Sequence, residues 1–452
     1  MTDRMPRLRD LERRVRGPVA APGASAYDDL RRTFNAMVER RPAAIVRPVD
    51  VADVSAAVRW AAEQDLPISV RGGGHSVAGH AVGDGALMLD LANLRSVTVD
   101  PVARLADAQG GARLDDLDRA TTAHGLAAPS GTYSETGIGG LTLGGGISFL
   151  LGTSGFACDA LVGAEVVVAD GTVREVDPGT DPELLWALRG GGGNFGVVTR
   201  FRFALTRLES VFGGRITFGA GAVQAILDLL FELQASAPDE LTLQAVLGRD
   251  AALGGRVVSV LGAWTGAPAQ AEAAWAPFRR RRDVVADGLR PLSYLELQAM
   301  GARMGSAYRH YWKGHFVSQL SSGLADAIMA SHAEGTSEGG ILVEPIHGMA
   351  HRVPDESAAF GSRSALANVS ALAIWDRPAD DDIHVAWARE SAARLEPFSL
   401  RGGGYLNYSP TDETAGRVER AFGPERFARL RAVKRRCDPD NRFRFNANIP
   451  PA

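Results

Sequence analysis

Glycine is spent in clusters in this chain, and the clustering limits the folds open to it more than any other feature. Four glycine-rich patches fall in the first half, among them "RGGGHS" from Arg71, "TGIGGLTLGGG" from Thr136 and "RGGGGNFG" from Arg189. A fifth lies at Gly402 to Gly404. Backbone without Cβ can approach a bulky ligand closely, and successive amides make a nest for an anion such as a phosphate. The first cluster leaves a short apolar run, "PISVR", and ends on His75. A histidine just past the nest points to a phosphate that belongs to a larger ligand with a reactive end. Gly191 to Gly196 matches G-x-G-x-x-G, but the dinucleotide fingerprint must open a helix, and here it runs into "VVTRF", which reads as strand. A nicotinamide dinucleotide is therefore a poor fit. No G-x-x-x-x-G-K-[ST] is present, so a P-loop is excluded.

With 452 residues the prior is two or three domains. Hydrophobic content of 45% and charged content of 23% describe an ordinary soluble protein. A net charge of −4 without a basic stripe gives no reason to expect nucleic acid. The charged start, "MTDRMPRLRDLERRVRG", has no apolar core of a secretory signal, and no run reaches membrane-spanning length. The expected compartment is the cytoplasm, with no membrane partner. Cys158 and Cys437 are too few for a disulfide framework and form no metal cluster.

Apolar spacing predicts a helix over 51–64, then strands at "PISVR", "LMLDL", "SVTVD" and "RLADAQGG", and a helix at "RLDDLDRATTAHG". "LVGAEVVVADGTVREVD" reads as two strands joined at Asp170-Gly171. Past about Leu208, longer helical stretches alternate with strands. The layout suggests a ligand-binding domain over 1–207, an inserted domain over 208–404, and a return of the chain over 405–452.

In order, "RGGGHS", "GxGGLTLGGG", "GxxCD", "VxADGxV", "GGGGNFGVVT" and "DPDNRFRFNANI" resemble the FAD-linked oxidases of the vanillyl-alcohol-oxidase superfamily, berberine-bridge-enzyme-like branch. The resemblance runs from about Pro42 to Pro450. It implies an α+β fold: a PCMH-type FAD-binding domain in two subdomains, and an inserted substrate domain with an antiparallel sheet covered by helices. It also implies FAD attached through its 8α-methyl to His75, with Arg71, Gly72, Gly73, Gly74 and Ser76 around the pyrophosphate. Tyr133, Thr136, Gly137, Gly139, Gly140 and Gly145 would line the flavin. Gly193, Asn194, Gly196 and Val198 would hold the adenine side, and Asn446 and Asn448 would close over the ring. The family's second, cysteinyl tether stands four residues before G-x-G-G. Tyr133 occupies that place, so no cysteinyl link is expected, and Cys158 and Cys437 read as packing thiols.

For the chemistry, the resemblance points to the tyrosines of "GGGYLNYSP", Tyr405 and Tyr408, as base or substrate orienter. If that stretch is extended, Tyr405 and Asn407 share one face and Tyr408 takes the other; both reach substrate only if the chain turns at Asn407. In "ILVEPIHGMAHR", alternation puts Val343, Pro345 and His347 on one face and Glu344 and Ile346 on the other, with His347 the candidate. Tyr311 or Trp312 would lie over the substrate, while His124, His332 and His351 are ordinary histidines. The expected activity is hydride removal from a C–H beside O or N of a small organic molecule, a secondary metabolite or a sugar. Dioxygen as the second partner would yield hydrogen peroxide. Thr136, at a position where bulk would block oxygen, favours an oxidase. The rival readings are a dehydrogenase with another electron acceptor and a flavin-loaded protein without catalysis.

Overall fold

Three sheets organise the computed structural model, which describes residues 8–208, 210–250, 252–301, 308–335 and 338–452. The first seven residues of the charged N-terminal stretch lie outside the described residues. In the first sheet, Ala44–Val46, Leu87–Asp90 and Ile68–Arg71 run parallel, with Val19–Ala20 antiparallel at one edge. Parallel strands need a crossover, and the helix Val51–Glu63 supplies it. The Asp50 carboxylate caps its start by accepting from the Asp53 N–H at 3.0 Å. Val54, Ala57, Val58 and Ala61 bury one face of it against Leu87 and Leu89.

The second sheet is antiparallel, in the order Val97–Asp100, Leu105–Gln109, Val197–Ala204, Leu161–Val167, Val173–Val176. "VVTRF" is thus its central strand. That is why the preceding G-x-G-x-x-G forms a loop leading into the start of that strand and opens no helix.

The third sheet has eight antiparallel strands and spans Val211 to Trp375 in sequence. Toward one edge Leu241–Asp250, Gly340–Pro345, Ala367–Trp375 and Arg309–Val317 lie side by side, the last as the edge strand. Its two faces differ in chemistry. One, with Ala245, Leu247, Val343, Val369 and Ala371, packs in a dry core with the helices Val223–Ser236, Ser322–Glu334 and Asp381–Leu395. The alternate positions carry buried polar groups, Thr242, Gln244, Glu344, Asn368 and Ser370, and turn toward the other two sheets. The fold is α+β.

After this sheet the chain returns. Helices Ala415–Phe422 and Pro424–Cys437 break at Gly423, which has φ +79°. Val418, Leu430, Val433 and Ile449 share a core with Phe201 and Phe203 of the second sheet. Lys434 is wholly buried there: its ammonium donates to the Asp438 carboxylate at 2.7 Å and to the carbonyls of Asn194 at 2.8 Å and Phe443 at 2.9 Å. Among the described residues no helix is long and apolar enough to cross a membrane.

Candidate active site

The glycine loops wall a cleft of about 1700 Å³, including the open space at its mouth. The loop after Ile68–Arg71 meets the turn before the helix Ile138–Leu143 backbone to backbone. A Cβ on Gly73 would lie 2.4 Å from the Gly137 nitrogen, and one on Gly137 would lie 2.2 Å from the Gly73 nitrogen. Nothing larger than hydrogen fits at either place. Gly140 and Gly193 differ, since a Cβ there would meet nothing within 4 Å and would point into free space.

Gly72 to Ser76, Tyr133, Thr136, Gly137, Gly139, Gly140, Gly193, Gly196, Val198 and Asn446 line the cleft, together with Trp312, Tyr405 and Tyr408. Six residues named from the sequence lie elsewhere. Tyr311 sits on the helix-covered face of the sheet, its hydroxyl donating to Asp412 Oδ1 at 3.0 Å. Arg71 donates to the Leu30 carbonyl and backs the loop at Gly74. Gly145 faces Phe360. Asn194 works from behind the wall: its Nδ2 donates to the carbonyls of Gly191 at 2.8 Å and Ala447 at 3.1 Å, and its Oδ1 accepts from the Ile449 N–H at 3.0 Å. Asn448 is outside the lining, with its buried Oδ1 unpartnered. His347 follows the end of the strand Gly340–Pro345 and packs against Gly152, with Asp239 as its charged neighbour. Val343, whose face alternation assigned to His347, turns to the helices, and His347 itself lies past the strand's end, so the expected placement of His347 beside the substrate is corrected.

His75 keeps part of its ring open to the cleft, stacked on Phe34 at 3.9 Å and 5.1 Å from the Tyr133 ring. The surrounding walls exclude enough water to push its pKa down to about 4, so the imidazole is neutral at physiological pH. Its Nε2 has no hydrogen-bond partner. Cys158 is absent from the lining; its buried thiol is held well above the usual range and sits 3.8 Å from Asp159 Oδ1.

The stretch holding the tyrosines is not extended. Leu406–Tyr408 forms a 3-10 turn, which brings both rings to the cleft with centroids 4.8 Å apart, edge to face. The turn is held by Asn407, whose Nδ2 donates to the Leu141 carbonyl at 3.1 Å and to Tyr405 Oη at 3.0 Å. Gly144 leaves room for it, as a Cβ there would come 2.0 Å from Asn407 Oδ1. Tyr405 Oη also accepts the N–H of Gly146 at 2.9 Å and of Ile147 at 3.3 Å. Burial still pushes its phenol up. Tyr408 Oη donates to Glu344 Oε1 at 3.4 Å. Glu344, 2% exposed, is the carboxylate that sequence reasoning passed over. Burial pushes its pKa up to about 7, against hydrogen bonds from Asn368 and Tyr408 that pull it down. The signal lay in the strand itself: the face with Val343 is apolar and belongs under helices, which leaves Glu344 on the cleft side, behind Tyr408.

The sequence matches the FAD binding domain family over residues 42–177 and the family described as "Berberine and berberine like" over residues 404–450. It is 34% identical to (R)-6-hydroxynicotine oxidase of Paenarthrobacter nicotinovorans, across 97% of both chains. The protein belongs to the berberine-bridge-enzyme-like FAD-linked oxidoreductases. The crystal structure of 6-hydroxy-D-nicotine oxidase from Arthrobacter nicotinovorans superposes with a TM-score of 0.87 at 32% identity, covering 97% of this chain and 98% of that one. Xylooligosaccharide oxidase of Thermothelomyces thermophilus is 27% identical over 96% of this chain and 92% of its own.

The cleft of this family member fits FAD on its own chemistry. Gly140 and Gly193 leave open the volume a Cβ would take, and the amides of the "RGGGHS" loop suit a pyrophosphate. His75 and Asn446 line the same space, and each keeps a buried polar atom, Nε2 and Oδ1, without a partner.

Proposed function

We propose that this FAD-linked oxidoreductase is an oxidase of small organic substrates, taking hydride from a C–H beside oxygen or nitrogen. FAD, when bound, supplies the hydride acceptor at N5 and, by reaction with dioxygen, releases hydrogen peroxide. His75 would hold it through a bond from a ring nitrogen to the 8α carbon, a role that its neutral, unpartnered ring supports. Tyr133, and no cysteine, stands beside that ring, which supports a single tether.

The observation that carries the reading is the pairing of half-buried Tyr408, in the cleft wall, with buried Glu344. As an O–H or N–H of the substrate gives its proton to Tyr408 Oη, the phenolic proton passes to Glu344 Oε1, so no buried phenolate is left behind. A carboxyl group with a pKa of about 7 is matched to this work near neutral pH. Tyr405, fixed by three N–H donors, presents an aromatic edge that orients substrate against Tyr408. Trp312, edge to face with Tyr408 at 5.5 Å, adds a second aromatic wall and favours flat or ring-bearing substrates, amines and alcohols alike. Thr136 leaves the cleft wall small, in keeping with oxygen access.

The test is an anaerobic screen of small cyclic amines, alcohols and sugars for bleaching of the flavin band, followed by admission of air. Rapid return of colour with stoichiometric peroxide supports an oxidase. Bleaching with slow return of colour points to another electron acceptor, and no bleaching by any class counts against catalysis at this site.

A further inference from the structure

Three strands of the large sheet converge on one carboxyl. Glu344 stands directly opposite Asn368 in the strand register, and Ser370 stands opposite Gly314. All four occupy the face turned toward the cleft. Asn368 Nδ2 donates to Glu344 Oε2 at 2.7 Å, and Ser370 Oγ donates to Asn368 Oδ1 at 3.1 Å. Glu344, Asn368 and Ser370 are each at most 2% exposed. A buried amide can face either way, but Oδ1 turned to Glu344 would set acceptor against acceptor. The Ser370 hydroxyl occupies Oδ1 and leaves Nδ2 for the carboxyl. Gly314 makes this possible, because a Cβ there would lie 2.3 Å from Ser370 Oγ. One carboxyl oxygen is thereby held by the amide while the other faces Tyr408.

We propose that Asn368, with its amide oriented by Ser370, is the positioning residue that holds Glu344 against Tyr408 in the form that accepts a proton. It rests on the reading of Glu344 as the final acceptor. The physical reason is that an N–H donor favours carboxylate over carboxylic acid, and a carboxyl this deep in the protein has few others. Among the described residues, titratable groups on its side of the sheet include Tyr405 and Tyr408 from the turn, His310 from the strand Arg309–Val317 and, beyond His310, His75. The cleft-side residues Thr242 and Gln244 of the strand Leu241–Asp250 carry no charge, and Lys313 lies on the opposite face, paired with Glu413 at 3.7 Å. Removing a hydrogen bond to a charged group should move the carboxyl's midpoint up by about 1 to 2 pH units.

The experiment is an infrared titration of the FAD-loaded protein, with the carboxylic-acid band assigned by its disappearance in Glu344→Gln. Asn368→Leu should raise the midpoint by about 1 to 2 pH units. Ser370→Ala, a small change that leaves the strand intact and the amide free to turn, should raise it by less. A midpoint unmoved in both variants overturns the proposal, and Ser370→Ala carries the test if Asn368→Leu does not fold. Anaerobic flavin reduction separates the two readings. Glu344→Gln reducing at the parent rate would overturn the acceptor role, and with it the catalytic purpose of the relay, even where the midpoints move as expected.

Discussion

Replacing Glu344 by glutamine should make the protein more stable and less active at the same time. The side chain is fully buried and its partners are neutral donors, so its charge is carried at a cost. Its pKa rises from the ordinary 4.5 to about 7 on folding. At about 1.4 kcal/mol per unit, that is roughly 3 kcal/mol. The folded value is the higher one, so between pH 4.5 and 7 the folded protein holds a proton that the unfolded chain has released. Stability therefore falls as pH rises through that window and stays lowered above it. Glutamine keeps the shape and an acceptor oxygen but never ionises. Glu344→Gln should exceed the parent by roughly 3 kcal/mol at pH 8.5 and by less than about 1 kcal/mol at pH 5. For a chain of 452 residues the larger figure is about 3 °C in Tm. Calorimetry of the FAD-loaded proteins at the two pH values measures it. Parent flavin reduction should rise with pH through about 7, and the variant should be slower by about 10² or more. An equal Tm offset at pH 5 and pH 8.5 would refute the reasoning, because the carboxyl would then not be titrating in that window.

His75→Ala should give a colourless pellet on acid precipitation where the parent gives a yellow one, and the parent's flavin peptide should contain His75 but neither cysteine; a yellow supernatant over a white parent pellet would sink the covalent link. Tyr408→Phe should slow anaerobic flavin reduction by about 10² to 10⁴ with flavin still attached, and Tyr405→Phe should slow it less. Parent rates in both tyrosine variants would move the proton chemistry elsewhere. Lys434→Met leaves Asp438 buried without its cation, which typically costs about 3–5 kcal/mol; Tm should drop by several degrees. An unchanged Tm would mean that the backbone N–H groups of Arg442 and Phe443 satisfy Asp438 alone.

The features legible in the amino-acid sequence are the local ones. The loop around His75 is contiguous, its glycines have a steric reason, and the strands on either side of Asp170-Gly171 are set by their own alternation. The turn that delivers Tyr408 is legible only as a condition, because it depends on Asn407 finding the Leu141 carbonyl, 266 positions away. The face of the strand Gly340–Pro345 is hidden for a similar reason. Period two says which residues share a side, while the helices that cover one side come from distant parts of the chain. Lys434 and Asp438, four apart in a basic helix, look like an ordinary surface pair until the tail folds over them. Asn194 sits in the right loop but faces away from the cleft, a distinction that depends on Ala447 and Ile449.

The clasp around Lys434 also has a temporal side. Asn194 and Ile449, joined by a hydrogen bond, are 255 positions apart, so a growing chain can assemble both smaller sheets and the four glycine loops of its first half long before the segment that shuts them is synthesised. During that interval the cleft has its floor but not the back wall that Ala447 and Ile449 brace through Asn194. Building the floor is thereby separated in time from shutting it, and the last strap to be made is the one that closes it.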